Sequence, residues 1–174
     1  MKKLLLIVMA LAPAAAMAHE GDHSLLNLSA GFLHPLSGVD HLSALLATGL
    51  WLGQTDTRVK WALVAAFIAV LGLAIPVGMQ FTHLTLETGI VATLVVLGVL
   101  LAAAVRGPLI LRASVILATA TVHGFVHGAE LPIGEGVLPF SLGLATASLT
   151  VVVLSTAAGN SMRYIANGIA TRLI

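Results

Sequence analysis

The chain has 174 residues, of which 59% are hydrophobic and only 9% are charged, with a formal net charge of +1. Soluble domains carry about 25% charged residues, so this composition and a mean hydropathy of +1.07 indicate an integral membrane protein. The small net charge and the lack of a basic run argue against nucleic-acid binding. The chain has no cysteine, which excludes disulfides, thiolate metal sites and cysteine nucleophiles.

Residues 1–18 have the layout of a secretory signal peptide. Lys2 and Lys3 precede an apolar run, and residues 16–18 read Ala-Met-Ala, a small-residue motif typical of a cleavage site. We predict cleavage before His19, which leaves residues 19–174 as one polytopic membrane domain. An uncleaved anchor helix is the alternative, although the apolar run is short for a membrane span.

The predicted mature N-terminus begins with the sequence HEGDH. Its free amine and the imidazoles of His19 and His23 are ligand groups for a divalent metal, and short histidine-rich tracts are a compositional indication of metal binding. We predict that this tail captures metal, with a polar and mobile terminus as the alternative.

Residues 25–53 are apolar but are interrupted by the sequence HPLSG. As one helix they would be about 43 Å long, which exceeds the roughly 30 Å of a bilayer core. Proline disfavours helix at the residue before it and suits a first helical turn. We therefore predict that the first span begins near Pro35 and that residues 25–33 form an interfacial or re-entrant segment.

Four further apolar segments predict an all-α fold with about five transmembrane helices. They cover residues 61–79, residues 84–105, a segment after Arg112 that ends in HGFVHGAELP, and residues 137–158, followed by a tail. With the mature N-terminus outside, the C-terminus is inside and the basic residues of loops and tail lie at cytoplasmic ends, as the positive-inside rule requires. These residues are Arg58, Lys60, Arg106, Arg112, Arg163 and Arg172.

The first motif with metal-binding chemistry is HPLSGVDH, which contains His34, Asp40 and His41. Ionisable side chains at membrane depth are costly unless they face a cavity, a partner or an ion. The two histidines are seven residues apart, about 10.5 Å along a regular helix, too far to share one ion at ligand distances near 2 Å. Either the Pro/Gly break brings them together or they serve successive sites. Asp40 is predicted to orient a histidine, with a hydrogen bond to a neighbouring helix as the alternative.

The second motif, HGFVHGAE, contains His123, His127 and Glu130. Spacings of four and three place these side chains along one stripe of a helix, which favours a shared metal ion. Gly124 and Gly128 form a small-residue face beside them, and we predict that it admits the helix of the first motif. Interhelical hydrogen bonds without metal are the alternative.

A third, weaker pair is His83 with Glu87, four residues apart on the predicted third span. We predict that it acts as a ligand pair or as an entrance gate. Imidazole nitrogen and carboxylate oxygen suit Ni, Co, Zn and Fe(II), and affinity alone does not choose among them. No phosphate-binding glycine loop is present, so ATP is not the energy source in this chain.

The leader, GFLHPLSGVDHLSALLATGLW and HGFVHGAELP together resemble the HupE/UreJ family of small nickel permeases found with hydrogenase and urease genes. The resemblance implies a non-enzymatic permease of the bacterial inner membrane that moves Ni(II), with Co(II) as second candidate, toward the cytoplasm and so serves hydrogenase or urease metallation. By position, the two motifs correspond to the family's signatures. The family often carries another histidine in the last span, where this chain has Thr150 in LATASLT.

Two other functions fit the same residues. In an intramembrane zinc hydrolase, three histidines would hold Zn(II) while Asp40 or Glu130 activates water near Ser37. A metal sensor or accessory subunit would bind without transport. The candidate ligands exceed what one catalytic zinc needs, so we predict a permease in which His19 and His23 collect the ion, His83 and Glu87 desolvate it, and the two motifs bind it in relay.

Overall fold

The computed structural model describes residues 26–55, 57–81, 87–103, 107–131, 134 and 136–170. Within them the chain is all-helical, as predicted. The helices are α1 (Leu28–Ser37), α2 (Val39–Gly53), α3 (Thr57–Gly78), α4 (Glu87–Ala102), α5 (Leu109–Glu130) and α6 (Val137–Ala170). The predicted signal peptide lies outside the described residues.

Three of the helices are long and apolar enough to cross a bilayer. Their membrane-compatible segments cover residues 58–78 of α3, 109–130 of α5 and 137–165 of α6. Helices of 22 residues, such as α3 and α5, are about 33 Å long and match a hydrocarbon core of roughly 30 Å. Helix α4 is apolar but has only 16 residues. These lengths and compositions make the chain a membrane protein.

The break in the first apolar segment lies at Gly38, between α1 and α2. Gly38 is extended, with φ −84° and ψ 117°, and the Ser37 hydroxyl donates to the His34 carbonyl at 2.9 Å. Asn27 caps the start of α1 by accepting from the Ala30 amide at 2.8 Å, as helix N-caps commonly do. The interruption predicted for this stretch is present, but the expected helix start at Pro35 is wrong because Pro35 lies inside α1.

The bounds of the later helices also differ from those expected. Helix α3 begins at Thr57 instead of residue 61, and α4 ends at Ala102 instead of residue 105. The stretch after residue 158 was expected to be a tail, but α6 continues to Ala170. Polarity alone does not end a helix, and this stretch lacks the proline that would do so.

Helix α6 packs against both halves of the broken segment, α1 and α2. The backbones of α1 and α6 are in close contact. A Cβ atom at Gly31 would collide with the Phe140 carbonyl, and one at Gly143 would collide with the Leu28 carbonyl. Small residues at such crossings let helices approach closely within a membrane. Helix α6 thereby holds the end of α1, which carries His34, in a defined position.

The small-residue face of α5 packs against α3. A Cβ atom at Gly124 would collide with the Leu71 carbonyl, and one at Gly128 would collide with the Ile75 carbonyl. The expectation that this face admits the helix of the first motif is therefore wrong. Gly124 and Gly128 each follow a histidine by one residue, so His123 and His127 project from a different face of α5 than the glycines do. The His127 ring lies against His34 of α1 and His41 of α2.

Candidate metal centre

Three imidazoles from three helices converge where α1 ends, α2 begins and α5 approaches its end. One ring nitrogen from each of His34, His41 and His127 lies within 4.8 Å of the others. The ring centroid of His127 is 4.8 Å from that of His34 and 4.7 Å from that of His41. The break at Gly38 makes this possible, since it brings the His34 and His41 centroids to 5.5 Å instead of the spacing of a continuous helix.

A fourth imidazole, His123, adjoins this group, with its ring centroid 5.8 Å from that of His41. We call His34, His41, His123 and His127 the histidine cluster. His123 and His127 are only 2% and 3% exposed. The cluster is therefore enclosed largely by the protein. The histidines of the two sequence motifs lie side by side in the folded chain.

Asp40 orients the ring of His41. The His41 Nδ1 atom donates to Asp40 Oδ1 at 2.9 Å, so the opposite nitrogen, Nε2, carries the lone pair. Metal-bound histidines usually donate their other ring nitrogen to a carboxylate or a carbonyl in this way. The structure thus places Asp40 beside His41 as an orienting group.

The His123 ring is oriented by its own helix. Its Nδ1 atom lies 2.9 Å from the Thr119 carbonyl oxygen, and since a carbonyl only accepts, Nδ1 carries the proton and Nε2 carries the lone pair. Among the described residues, the Nε2 atoms of His41 and His123 are both buried and contact no hydrogen-bond partner. Buried polar atoms are nearly always partnered, so these two nitrogens are suited to a metal ion.

Glu130 is the most peripheral of the six residues in the two motifs. Its Oε2 atom is 4.0 Å from His127 Nδ1, and its side chain is 34% exposed against 3% for His127. A carboxylate at that distance contributes negative charge without a close hydrogen bond. Its contact with the imidazole is therefore looser than that of Asp40 with His41.

The donor set fits a divalent transition ion. Two nitrogens that bind one ion at about 2.1 Å each lie at most about 4.2 Å apart. The ring nitrogens of His34, His41 and His127 lie within 4.8 Å of one another, so small ring rotations bring them within this limit. Imidazole nitrogen with nearby carboxylate is the ligand chemistry of Ni, Co and Zn.

Two residues outside the predicted ligand set also shape the cluster. Gly38 leaves room for the pair formed by Asp40 and His41, since a Cβ atom there would lie 2.9 Å from both Asp40 Oδ1 and His41 Nδ1. The Phe140 ring of α6 lies against His34, with centroids 5.6 Å apart. Gly38 was recognisable as part of the break, but no sequence pattern links Phe140 to a residue more than 100 positions away.

Several other predicted site residues lie elsewhere. Ser37 and Thr150 are exposed, and the Thr150 hydroxyl donates to the Thr146 carbonyl of its own helix at 2.8 Å. Glu87 begins α4, but its side chain lies outside the described part of the chain. His19, His23 and His83 also lie outside the described residues.

Similarity to known proteins extends over most of the chain. The model of the family described as HupE / UreJ protein matches residues 6–174. Protein HupE of Rhizobium leguminosarum bv. viciae is 35% identical over 143 residues, which cover 82% of this chain and 74% of that protein. No solved structure matches the chain.

Proposed function

Because this chain belongs to the HupE/UreJ family, we propose that it is a permease that imports a divalent transition metal, with Ni(II) as the main cargo and Co(II) as the second. The family is a transport and accessory family associated with nickel and cobalt, and it is not a known class of enzymes. The observation that carries the proposal is the histidine cluster, in which imidazoles from α1, α2 and α5 meet in an apolar bundle.

The proposed topology follows from the sequence. A cleaved signal peptide leaves the N-terminus outside, the broken pair α1–α2 and the helices α3 to α6 form five spans of the bacterial inner membrane, and the C-terminus is inside. The histidine cluster then lies in the outer half of the bundle. His19 and His23 collect metal outside, while His83 and Glu87 assist its dehydration.

The chemistry of the cluster suits a transported ion. Buried Nε2 atoms on His41 and His123 replace part of the hydration shell, while Asp40 and Glu130 supply negative charge that offsets the cost of a dication in an apolar bundle. A conducted ion must bind well enough to enter and weakly enough to leave. Several imidazoles in contact offer successive partial coordination instead of one closed shell.

Uptake by purified protein in liposomes, with Ni(II), Co(II) and Zn(II) compared, tests the proposal. The variant that combines His41→Asn with His127→Asn should lose more than about 100-fold in uptake, because loss of even an outer-shell partner of a metal ligand costs about 10–100-fold. Thr121→Ala is the matched control, since Thr121 is exposed on α5 and bonds only its own helix in the described structure.

Each alternative has its own outcome in this assay. Uptake that survives the double histidine substitution in a folded protein overturns the proposed role of the cluster. Tight nickel binding without uptake would indicate an accessory protein or sensor. One tightly bound zinc with cleavage of lipid or peptide, and no metal movement, would indicate a hydrolase.

A further inference from the structure

The four imidazoles of the histidine cluster differ in the contacts that they make with one another. The ring centroid of His41 is 5.5 Å from that of His34 and 4.7 Å from that of His127, and these two rings are 4.8 Å apart. The His123 centroid is 5.8 Å from that of His41, and among the described residues it is in ring contact with no other imidazole. His41 therefore connects His123 to the rest of the cluster.

The distances between ligand atoms divide the cluster in the same way. One nitrogen each from His34, His41 and His127 lies within 4.8 Å of the other two, and within the described part of the chain His123 does not belong to this set. Nitrogens that share one ion lie at most about 4.2 Å apart. The arrangement thus fits an ion on three imidazoles without His123, and we call these three imidazoles the outer position.

His41 has only one nitrogen to offer to an ion. Its Nδ1 atom donates to Asp40 Oδ1, so Nε2 alone carries a lone pair. The same holds for His123, whose Nδ1 atom is bound to the Thr119 carbonyl. Both Nε2 atoms are buried and contact no hydrogen-bond partner among the residues that the structure describes. We call this pair of imidazoles the inner position. Because one lone pair binds one ion, His41 serves either position but not both at once.

Burial increases from the outer position to the inner one. His34 is partly exposed and the His41 side chain is 14% exposed, whereas His123 is 2% exposed. His123 also precedes His127 by one turn of α5, about 6 Å along the helix, and so lies farther from the end of α5, where Glu130 is 34% exposed. An ion from water therefore reaches the outer position first.

We propose that His41 is a shared ligand, which passes the ion from the outer position to the inner position. The ion loses its bonds to His34 and His127 and gains a bond to His123, while its bond to His41 Nε2 persists. Asp40 holds the His41 ring in one orientation during this exchange. Such a step avoids the release of a bare dication into an apolar bundle, which would be costly. The cargo and the direction of the step rest on the proposed function, whereas the two positions rest on the contacts above.

Binding of Co(II) to the purified full-length protein in detergent tests the division of the cluster, with the visible absorption of Co(II) as a report on its ligands. His34→Asn removes a ligand of the outer position and should lower the affinity at least about tenfold, since even an outer-shell partner of a ligand is worth that much. His123→Asn leaves the outer position intact and should cost several-fold less. Thr121→Ala, on the exposed side of α5, is the matched control and should bind as the native protein does.

The inner position is tested alone in a protein that combines His34→Asn with His127→Asn. Weak Co(II) binding should remain in this doubly substituted protein, because both imidazoles of the inner position are unchanged. Addition of His123→Asn should abolish it. Addition of His41→Asn should do the same with His123 in place, so the test stands even if His123→Asn does not fold, as judged by size-exclusion chromatography.

Uptake of Co(II) into liposomes gives the second readout. His123→Asn should import at least about tenfold more slowly than the native protein despite binding at the outer position, since loss of even an outer-shell partner costs about that much activity. His34→Asn should lose binding and import together. Equal losses of affinity in His34→Asn and His123→Asn would indicate one site of four imidazoles and overturn the proposal, and so would native import by His123→Asn.

The binding measurements do not require transport, so the shared ligand and the proposed function fail separately. The expected binding pattern, with no import by the native protein, would uphold the two positions and overturn the proposed function. Import by the native protein, with no residual binding that depends on His41 and His123 in the doubly substituted protein, would uphold the function and overturn the shared ligand.

Discussion

At one end of the bundle, four imidazoles from α1, α2 and α5 lie together with a carboxylate beside them, and two buried ring nitrogens contact no hydrogen-bond partner within the described structure. At the other end, two buried cations link helices through hydrogen bonds to Thr55 and Asn160. The first end offers lone pairs to a cation, and the second offers positive charge. The two ends of the bundle therefore present opposite electrostatic environments to a cation.

The difference also shows how an apolar bundle tolerates ionisable groups. At the cationic end, Arg112 and Lys60 donate hydrogen bonds within the protein, which stabilises the arrangement of the helices. At the histidine end, the Nε2 atoms of His41 and His123 contact no hydrogen-bond partner within the described residues. Unpartnered buried nitrogens cost stability, so their presence supports the proposed metal binding at this end.

The largest effect is expected from a change in the backbone contact that positions α5. Gly128→Ala places a methyl group against the Ile75 carbonyl of α3, and backbone yields less readily than a side chain. We expect loss of stability at or above the roughly 1–3 kcal/mol typical of overpacked positions, measured as the thermal unfolding midpoint in detergent. At Gly72, nothing lies within 4 Å of an added Cβ, so Gly72→Ala should be neutral or stabilising.

A more local change separates the two ends. Gly38→Ala brings a Cβ atom to 2.9 Å from Asp40 Oδ1 and His41 Nδ1 and displaces that hydrogen-bonded pair. We expect nickel affinity to fall by about 10–100-fold, the range for a lost outer-shell partner, as measured by isothermal titration. Gly107→Ala is the counterpart at the cationic end and meets only the flexible tip of Leu111. Equal affinity losses in both variants would contradict the separation of the two ends.

The smallest expected effect compares the two carboxylates of the histidine end. Asp40→Asn retains shape but removes the charge that holds His41 Nδ1 at 2.9 Å, and nickel affinity should fall by about tenfold. Glu130→Gln should cost less, because its Oε2 atom is 4.0 Å from His127 Nδ1 and the side chain is 34% exposed. A larger loss for Glu130→Gln than for Asp40→Asn would show that Glu130 contacts the ion itself.

Much of the local structure was predictable from the sequence. Helical spacing placed His123 and His127 on one stripe, and the length of the first apolar segment required an interruption near Pro35. The position of that interruption was less predictable, because both Pro35 and Gly38 are helix breakers in other contexts. Packing of α1 against α6 through Gly31 favours a helix that continues past Pro35 and ends at Ser37.

Composition and helical periodicity are local properties, and they were enough to predict an apolar, all-helical membrane protein with histidines and carboxylates in two motifs. Which helices meet was evident only from the folded bundle. It turned the glycine face of α5 toward α3, brought His34 onto His127 beside Phe140, and buried Arg112 against Thr55. Periodicity defines which side chains share a face of one helix, but the partner of that face depends on the packing of the whole bundle.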